Sequence, residues 1–112
     1  MTGTAERDVA DYIAERDVVD YLIKRVKALG GEIRKVAWIG RKNAPDMRVM
    51  LPSSVRPGFW CEAKRPGYRV TPHVEAQRRE HTRMRAMGEL VYVLDSFEAV
   101  DAALAPWEGN RR

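Results

Sequence analysis

Hydrophobic positions along the chain switch between two periods. Val18, Leu22, Val26 and Leu29 recur at helical spacing, which predicts a core-facing helix from about Ala14 to Leu29, ended by Gly30-Gly31. EIRKVAWI is a β-like run centred on Val36–Ile39, and GRKNAP reads as a loop. MRVML and FWCEAK are strand-like, and the turn-rich PSSVRPG between them predicts a hairpin. Thr71 followed by Pro72 has the form of a helix N-cap with proline at the first helical position, and that helix runs to about Met87, where Gly88 stops it. LVYVL is a buried strand; Ser96 then caps a short helix, FEAVDAAL, ended by Pro106, with PWEGNRR as an irregular tail. The order is α-β-β-β-α-β-α, an α/β (α+β) chain with a mixed central sheet flanked by helices.

One repeat interrupts this regularity. AERDVADYI (5–13) is followed directly by AERDVVDYL (14–22). Nine residues are two and a half helical turns, so one straight helix would present the two copies on opposite sides. On that wheel Glu15 lies within roughly 30° of the apolar stripe at ~100° per residue, and Glu6 lies on the far side. We therefore expect residues 1–13 to form an extension, 14–105 the folded domain and 106–112 the tail.

Composition narrows the class. At 112 residues, 45% hydrophobic and 32% charged, the chain suits one globular domain with a single core. No apolar run approaches a membrane span, the N-terminus lacks a signal-peptide segment, and Cys61 is the lone cysteine. These features exclude an internal disulfide and cysteine-cluster zinc sites, and point to a reducing, cytoplasmic compartment. Charge is uneven: residues 33–85 carry 13 basic and 4 acidic groups, net +9, whereas the two ends together are net −5. A basic middle suggests a polyanionic partner; a solvated basic helix face is the bland alternative.

The chemistry gathers around Glu62. Strand alternation puts Glu62 and Lys64 on one face and Cys61 and Ala63 on the other. Asp46 sits at the mouth of the preceding strand, so a hairpin would bring Asp46 and Glu62 together at one sheet end. Two close carboxylates repel unless a cation lies between them, and a hard divalent ion such as Mg²⁺ or Mn²⁺ takes oxygen ligands of this kind. Lys64 beside them could act on an attacking water or on phosphate charge. The second helix presents Val74, Gln77, His81 and Met84 inward. Gln77 is either an edge glutamine or a residue reaching the site, His81 reads as a packed histidine, and His73 as a solvent or phosphate contact.

The blocks ERDVVDYLIKRVKALGG, GRKNAPDMRVMLP, FWCEAKRPG, TPHVEAQRREHTRMRAMG and VYVLDSFEAVDAAL, in this order, resemble the PD-(D/E)XK nucleases, and specifically the stand-alone VRR-NUC proteins of phages and prophages. The resemblance runs from about Glu15 to Leu104. It implies that Glu15 is the first-helix acid, Asp46 and Glu62 metal ligands with the Ala63 carbonyl, Lys64 the catalytic lysine and Gln77 the helix glutamine. It further implies a Mg²⁺- or Mn²⁺-dependent endodeoxyribonuclease acting as a homodimer on branched DNA, such as a four-way junction. Arg34, Lys35, Arg41, Lys42, Arg65, Arg69, Arg78 and Arg79 would then contact phosphates, and Tyr68 would stack on a base or pack. A less selective phage endonuclease and a non-catalytic DNA-binding module are the alternatives. The chain departs from the family in three places: Ile23-Lys24-Arg25 stands where the name-giving Val-Arg-Arg falls, PSSVRPG is slightly long, and AERDV is duplicated.

Overall fold

The computed structural model describes residues 12–53 and 57–109. Among the described residues seven elements follow one another: α1 (Glu15–Ala28), β1 (Glu32–Lys35), β2 (Met47–Met50), β3 (Gly58–Ala63), α2 (Pro72–Ala86), β4 (Val91–Leu94) and α3 (Phe97–Glu108). This is the predicted order. The four strands form one mixed sheet in the order β1-β2-β3-β4, with β1–β2 and β2–β3 antiparallel and β3–β4 parallel. The two antiparallel connections are local, whereas the parallel pair needs a crossover, which α2 supplies.

The apolar stripe of α1 does what its spacing requires. Val18, Leu22 and Val26 are buried and pack with Met47, Val49, Phe59, Cys61, Ala63 and Leu94 of the sheet and Val100, Ala103, Leu104 and Trp107 of α3. Phe59, Cys61 and Ala63 alternate along β3 into this core, so Trp60 and Glu62 face the other side, beneath α2. Burial pushes the Cys61 thiol up to about 12, with the nearby Asp46 and Glu62 carboxylates adding to it, so it is a packed apolar group.

Both long helices end as the glycines direct. After α1, Gly30 adopts φ +80° and its N–H donates to Lys27 O at 2.9 Å, while the Gly31 N–H donates to Val26 O at 2.9 Å. These two bonds satisfy carbonyls that the helix end leaves open. Gly58 is required for a different reason: a Cβ there would lie 1.8 Å from the Val49 carbonyl oxygen across the hairpin.

Two expectations are corrected. The first strand ends at Lys35, not across Val36–Ile39; its last ladder bond is Val36 N–H to Asp46 O at 2.8 Å. The apolar residues beyond it serve the loop. The Trp38 indole N–H donates to Pro45 O at 2.7 Å, and its ring lies 4.9 Å from that of Trp60. Positive φ at Gly40 and Asn43 turns the chain back. The last helix does not stop at Pro106 but runs through it to Glu108, so residues 106–108 are helical. Proline costs a backbone bond there, but in the final turn one lost bond is offset by burying Trp107, whose ring lies 5.7 Å from Phe59. The first copy of the repeat, apart from Tyr12 and Ile13, lies outside the described residues; Ile13 packs against the core and Tyr12 is exposed. Among the described residues no helix is long and apolar enough to cross a membrane.

Candidate active site

The sheet register builds the site. Met47 pairs with Lys35 on one side and Cys61 on the other, so Asp46, one residue before β2, falls opposite Glu62 near the end of β3. The Lys64 N–H continues the ladder to Leu94 O at 2.9 Å, which keeps the chain extended and returns the Lys64 side chain to the Glu62 face. Lys64 Nζ stands 3.3 Å from Glu62 Oε2. Helix α2, capped by the Thr71 hydroxyl accepting from the Val74 N–H, lays Gln77 and His81 over the same face.

These side chains open onto a cleft of about 520 Å³. Its walls carry Glu15, Asp46, Glu62, Ala63, Lys64 and Gln77, so all five catalytic candidates and the proposed carbonyl ligand line one space. Lys35 and His73 line it too, as does Arg16, which no pattern in the sequence singles out. The two facing carboxylates differ: Asp46 is exposed, whereas Glu62 is only 7% exposed. Burial raises the Glu62 carboxyl above its usual range, opposed by the Lys64 ammonium, with Asp46 repulsion adding to the rise. Glu62 Oε2 and Gln77 Oε1 are buried without a hydrogen-bond partner. The Lys64 contact is thus a close charge pairing rather than an aligned hydrogen bond.

Behind Glu62 lies His81, 1% exposed, with Nε2 3.9 Å from Glu62 Oε1 and no hydrogen bond to either nitrogen. Burial, helped by Arg85, lowers its basicity and favours the neutral ring. Its position four residues after Gln77 on the inward stripe was visible in the sequence; its approach to Glu62 was not.

Among the described residues no three acidic, histidine or cysteine side chains cluster tightly enough to cage an ion, so Glu15 lines the cleft without completing such a set. The donors present still fit a hard divalent cation. Mg²⁺ is commonly held by one or two carboxylates, its remaining positions filled by water and substrate phosphate. Two opposed carboxylates, one with a buried oxygen that accepts no hydrogen bond, are donors of that kind.

The basic candidates divide by location. Lys35 is in the cleft. Arg41, Lys42, Arg78 and Arg79 line a second groove beside it. Arg65 and Arg69 are exposed between β3 and α2. Tyr68 is half-buried, with the Arg78 guanidinium 3.5 Å from its hydroxyl. Arg34 is exposed on the edge strand and paired with Glu32. Arg25, in the Ile23-Lys24-Arg25 segment, points elsewhere and joins Asp101 and Glu108 of α3.

An acid at the mouth of β2 facing the Glu-x-Lys of β3 on a mixed sheet flanked by helices defines a nuclease of the PD-(D/E)XK type. No protein-family model matches the sequence. The chain is 39% identical over 74 residues to "Putative nuclease p44" of Acyrthosiphon pisum secondary endosymbiont phage 1, covering 66% of this chain and 74% of that protein. A solved structure described as "VRR_NUC domain" superposes with a TM-score of 0.66 at 40% identity, over 82% of this chain and 94% of that one. The chain belongs to the VRR-NUC nuclease family.

Proposed function

We propose that the protein is a Mg²⁺- or Mn²⁺-dependent endodeoxyribonuclease that cuts branched DNA, with four-way junctions as substrate and a homodimer as the working form. The observation that carries the chemistry is the position of Lys64 Nζ, 3.3 Å from a buried Glu62 that faces Asp46 across the hairpin. Pure binding has no use for opposed carboxylates, which repel phosphate.

Asp46, Glu62 and the Ala63 carbonyl would hold the cation, with Glu15 at the rim. When bound, the cation would polarise the scissile phosphate and lower the pKa of a bound water. The chain's own groups do the rest. Glu62 holds the Lys64 ammonium in the cleft wall, where it would offset the charge that develops on the phosphate. Gln77, which lines the same cleft, would orient the attacking water. Lys35, Arg41, Lys42, Arg65, Arg69, Arg78 and Arg79 position the phosphate backbone without reading sequence. The homodimer and the junction rest on the family resemblance, and two symmetric nicks in a four-way junction need two symmetric sites.

The test is cleavage of a four-way junction, a splayed arm, linear duplex and single-stranded DNA by wild type and Lys64→Ala, each with Mg²⁺, Mn²⁺ or EDTA. Paired nicks on the junction by wild type alone, with a dimer mass in solution, are expected. Cleavage of every substrate would replace the junction reading with a less selective endonuclease. Metal-independent binding with no cutting would replace it with a non-catalytic module.

A further inference from the structure

Among the described residues, every buried side-chain nitrogen or oxygen without a hydrogen bond belongs to Glu62, Gln77 or His81. Both ring nitrogens of His81 are among them, on a side chain only 1% exposed on the inward face of α2. A ring that merely filled space would be better replaced by leucine or phenylalanine, because burying a polar group without a hydrogen bond is unfavourable. His81 instead turns Nε2 toward the site's own carboxylate, 3.9 Å from Glu62 Oε1.

The two oxygens of Glu62 therefore have different neighbours. Oε2 stands 3.3 Å from Lys64 Nζ, and Oε1 stands 3.9 Å from His81 Nε2. The last torsion of a glutamate is broad and nearly two-fold, so the plane of its carboxylate is set by what the oxygens touch rather than by a rotamer well. Lys64 alone leaves that plane free to swing, because an ammonium is a point charge on a flexible stem. An imidazole N–H is directional, and His81 is held by its helix and its burial.

We propose that His81 is a positioning residue: its Nε2–H closes on Glu62 Oε1 and fixes the plane in which Glu62 presents its carboxylate to the cation. The inference rests on the reading that Asp46 and Glu62 hold that cation. Closure needs a movement of about 1 Å, from 3.9 Å to hydrogen-bond range. The neutral ring donates from one nitrogen, and with a carboxylate oxygen before it, Nε2 is the nitrogen that carries the proton. A neutral donor orients the carboxylate without cancelling the charge that attracts the metal.

The test reads metal binding without DNA. Electron paramagnetic resonance of free Mn²⁺ gives Kd for wild type, His81→Leu, His81→Gln and His81→Asn, each with its Tm in EDTA. A glutamine amide nitrogen can stand where Nε2 does, whereas an asparagine amide falls short, at the place of Nδ1. We expect His81→Leu to weaken Mn²⁺ binding by about 10–100-fold with Tm unchanged or higher. His81→Asn should match it, and His81→Gln should recover most of the affinity. Should His81→Leu fail to fold, the glutamine and asparagine variants carry the comparison. Ring-nitrogen NMR of the metal-free protein supplies a second reading: the proton should lie on Nε2, and its resonance should shift when Mg²⁺ is added. The chain has two histidines, so the His81 signals are those missing from His81→Gln. Unchanged Mn²⁺ affinity in His81→Leu, equal affinities of the glutamine and asparagine variants, or a proton on Nδ1 overturns the role and leaves the cation reading standing. Wild type that binds no Mn²⁺, or Asp46→Ala that binds it equally well, overturns the cation reading itself and the role of His81 with it.

Discussion

Glu62→Gln and Lys64→Met should both abolish cleavage yet move stability in opposite directions. Glu62 is 7% exposed, faces a second carboxylate, and has Lys64 at 3.3 Å as its cation. Lys64 is the more exposed partner, lining the cleft with 17% of its side chain accessible. Removing one member of a buried ion pair costs about 3–5 kcal/mol when the other is left without compensation. The cleft admits solvent, so for Lys64→Met we expect about 1–3 kcal/mol of destabilisation. Glu62→Gln leaves a lysine that can turn to water or to Asp46, and it deletes a charge whose burial is unfavourable. We expect it to be neutral or stabilising by about 1 kcal/mol, which for a domain of this size raises Tm by roughly 4–5 °C. The folded state raises the Glu62 carboxyl's proton affinity, so this charge costs stability above its usual range and less as pH falls through that range. The advantage of Glu62→Gln should therefore be present at pH 7–8 and shrink on acidification. Thermal unfolding in EDTA, followed by circular dichroism, reads both variants. A further arm adds Mg²⁺ at about ten times its Kd, which should stabilise wild type by about 1.4 kcal/mol and the Glu62→Gln variant by much less. If Glu62→Gln lowers Tm as far as Lys64→Met does, Glu62 is a structural group and the reasoning fails.

Two further outcomes test parts of the fold. Trp107→Ala should destabilise by about 3–5 kcal/mol, since the ring is buried against Phe59 beyond the proline; chemical denaturation showing less than about 1 kcal/mol would mean that the helix does not depend on this anchor. Arg25→Ala should cost no more than about 1–2 kcal/mol, because its pairs with Asp101 and Glu108 are half-exposed, and should leave DNA affinity intact; a clear loss of affinity would return Arg25 to a phosphate-binding role.

Most of this architecture was legible because the signals were local. The α1 stripe, the Thr71-Pro72 start, the glycine stops and the period of two in MRVML and FWCEAK each act over a few residues. They placed Asp46 opposite Glu62, and Gln77 with His81 inward, without any long-range knowledge. The misreadings have one cause. Val36–Ile39 carries strand-forming residues, but Trp38 is drawn into the loop by Pro45 and Trp60, and a tertiary contact outweighs β propensity. Pro106 is a local stop signal outweighed by burial of Trp107. Arg25 finds partners 76 and 83 residues away, and Arg83 reaches the second groove through a fold that its neighbours do not announce.

The site's precision is carried by apolar residues that take no part in chemistry. Asp46 has no strand of its own; its position follows from Met47 pairing with Cys61 and Lys35. That register is held because Met47 and Val49 of β2, and Phe59, Cys61 and Ala63 of β3, all point into one core. A slip of one residue in β2 would turn Met47 and Val49 toward the cleft face and carry Asp46 away from Glu62. The slipped form would lose core burial worth about 1.5–3 kcal/mol for each large side chain, more than the repulsion between one exposed and one buried carboxylate, offset by Lys64, could repay. Hydrophobic alternation therefore holds together a pair of like charges that would separate if left to themselves, and this explains how a small domain keeps two acids facing each other before any cation arrives.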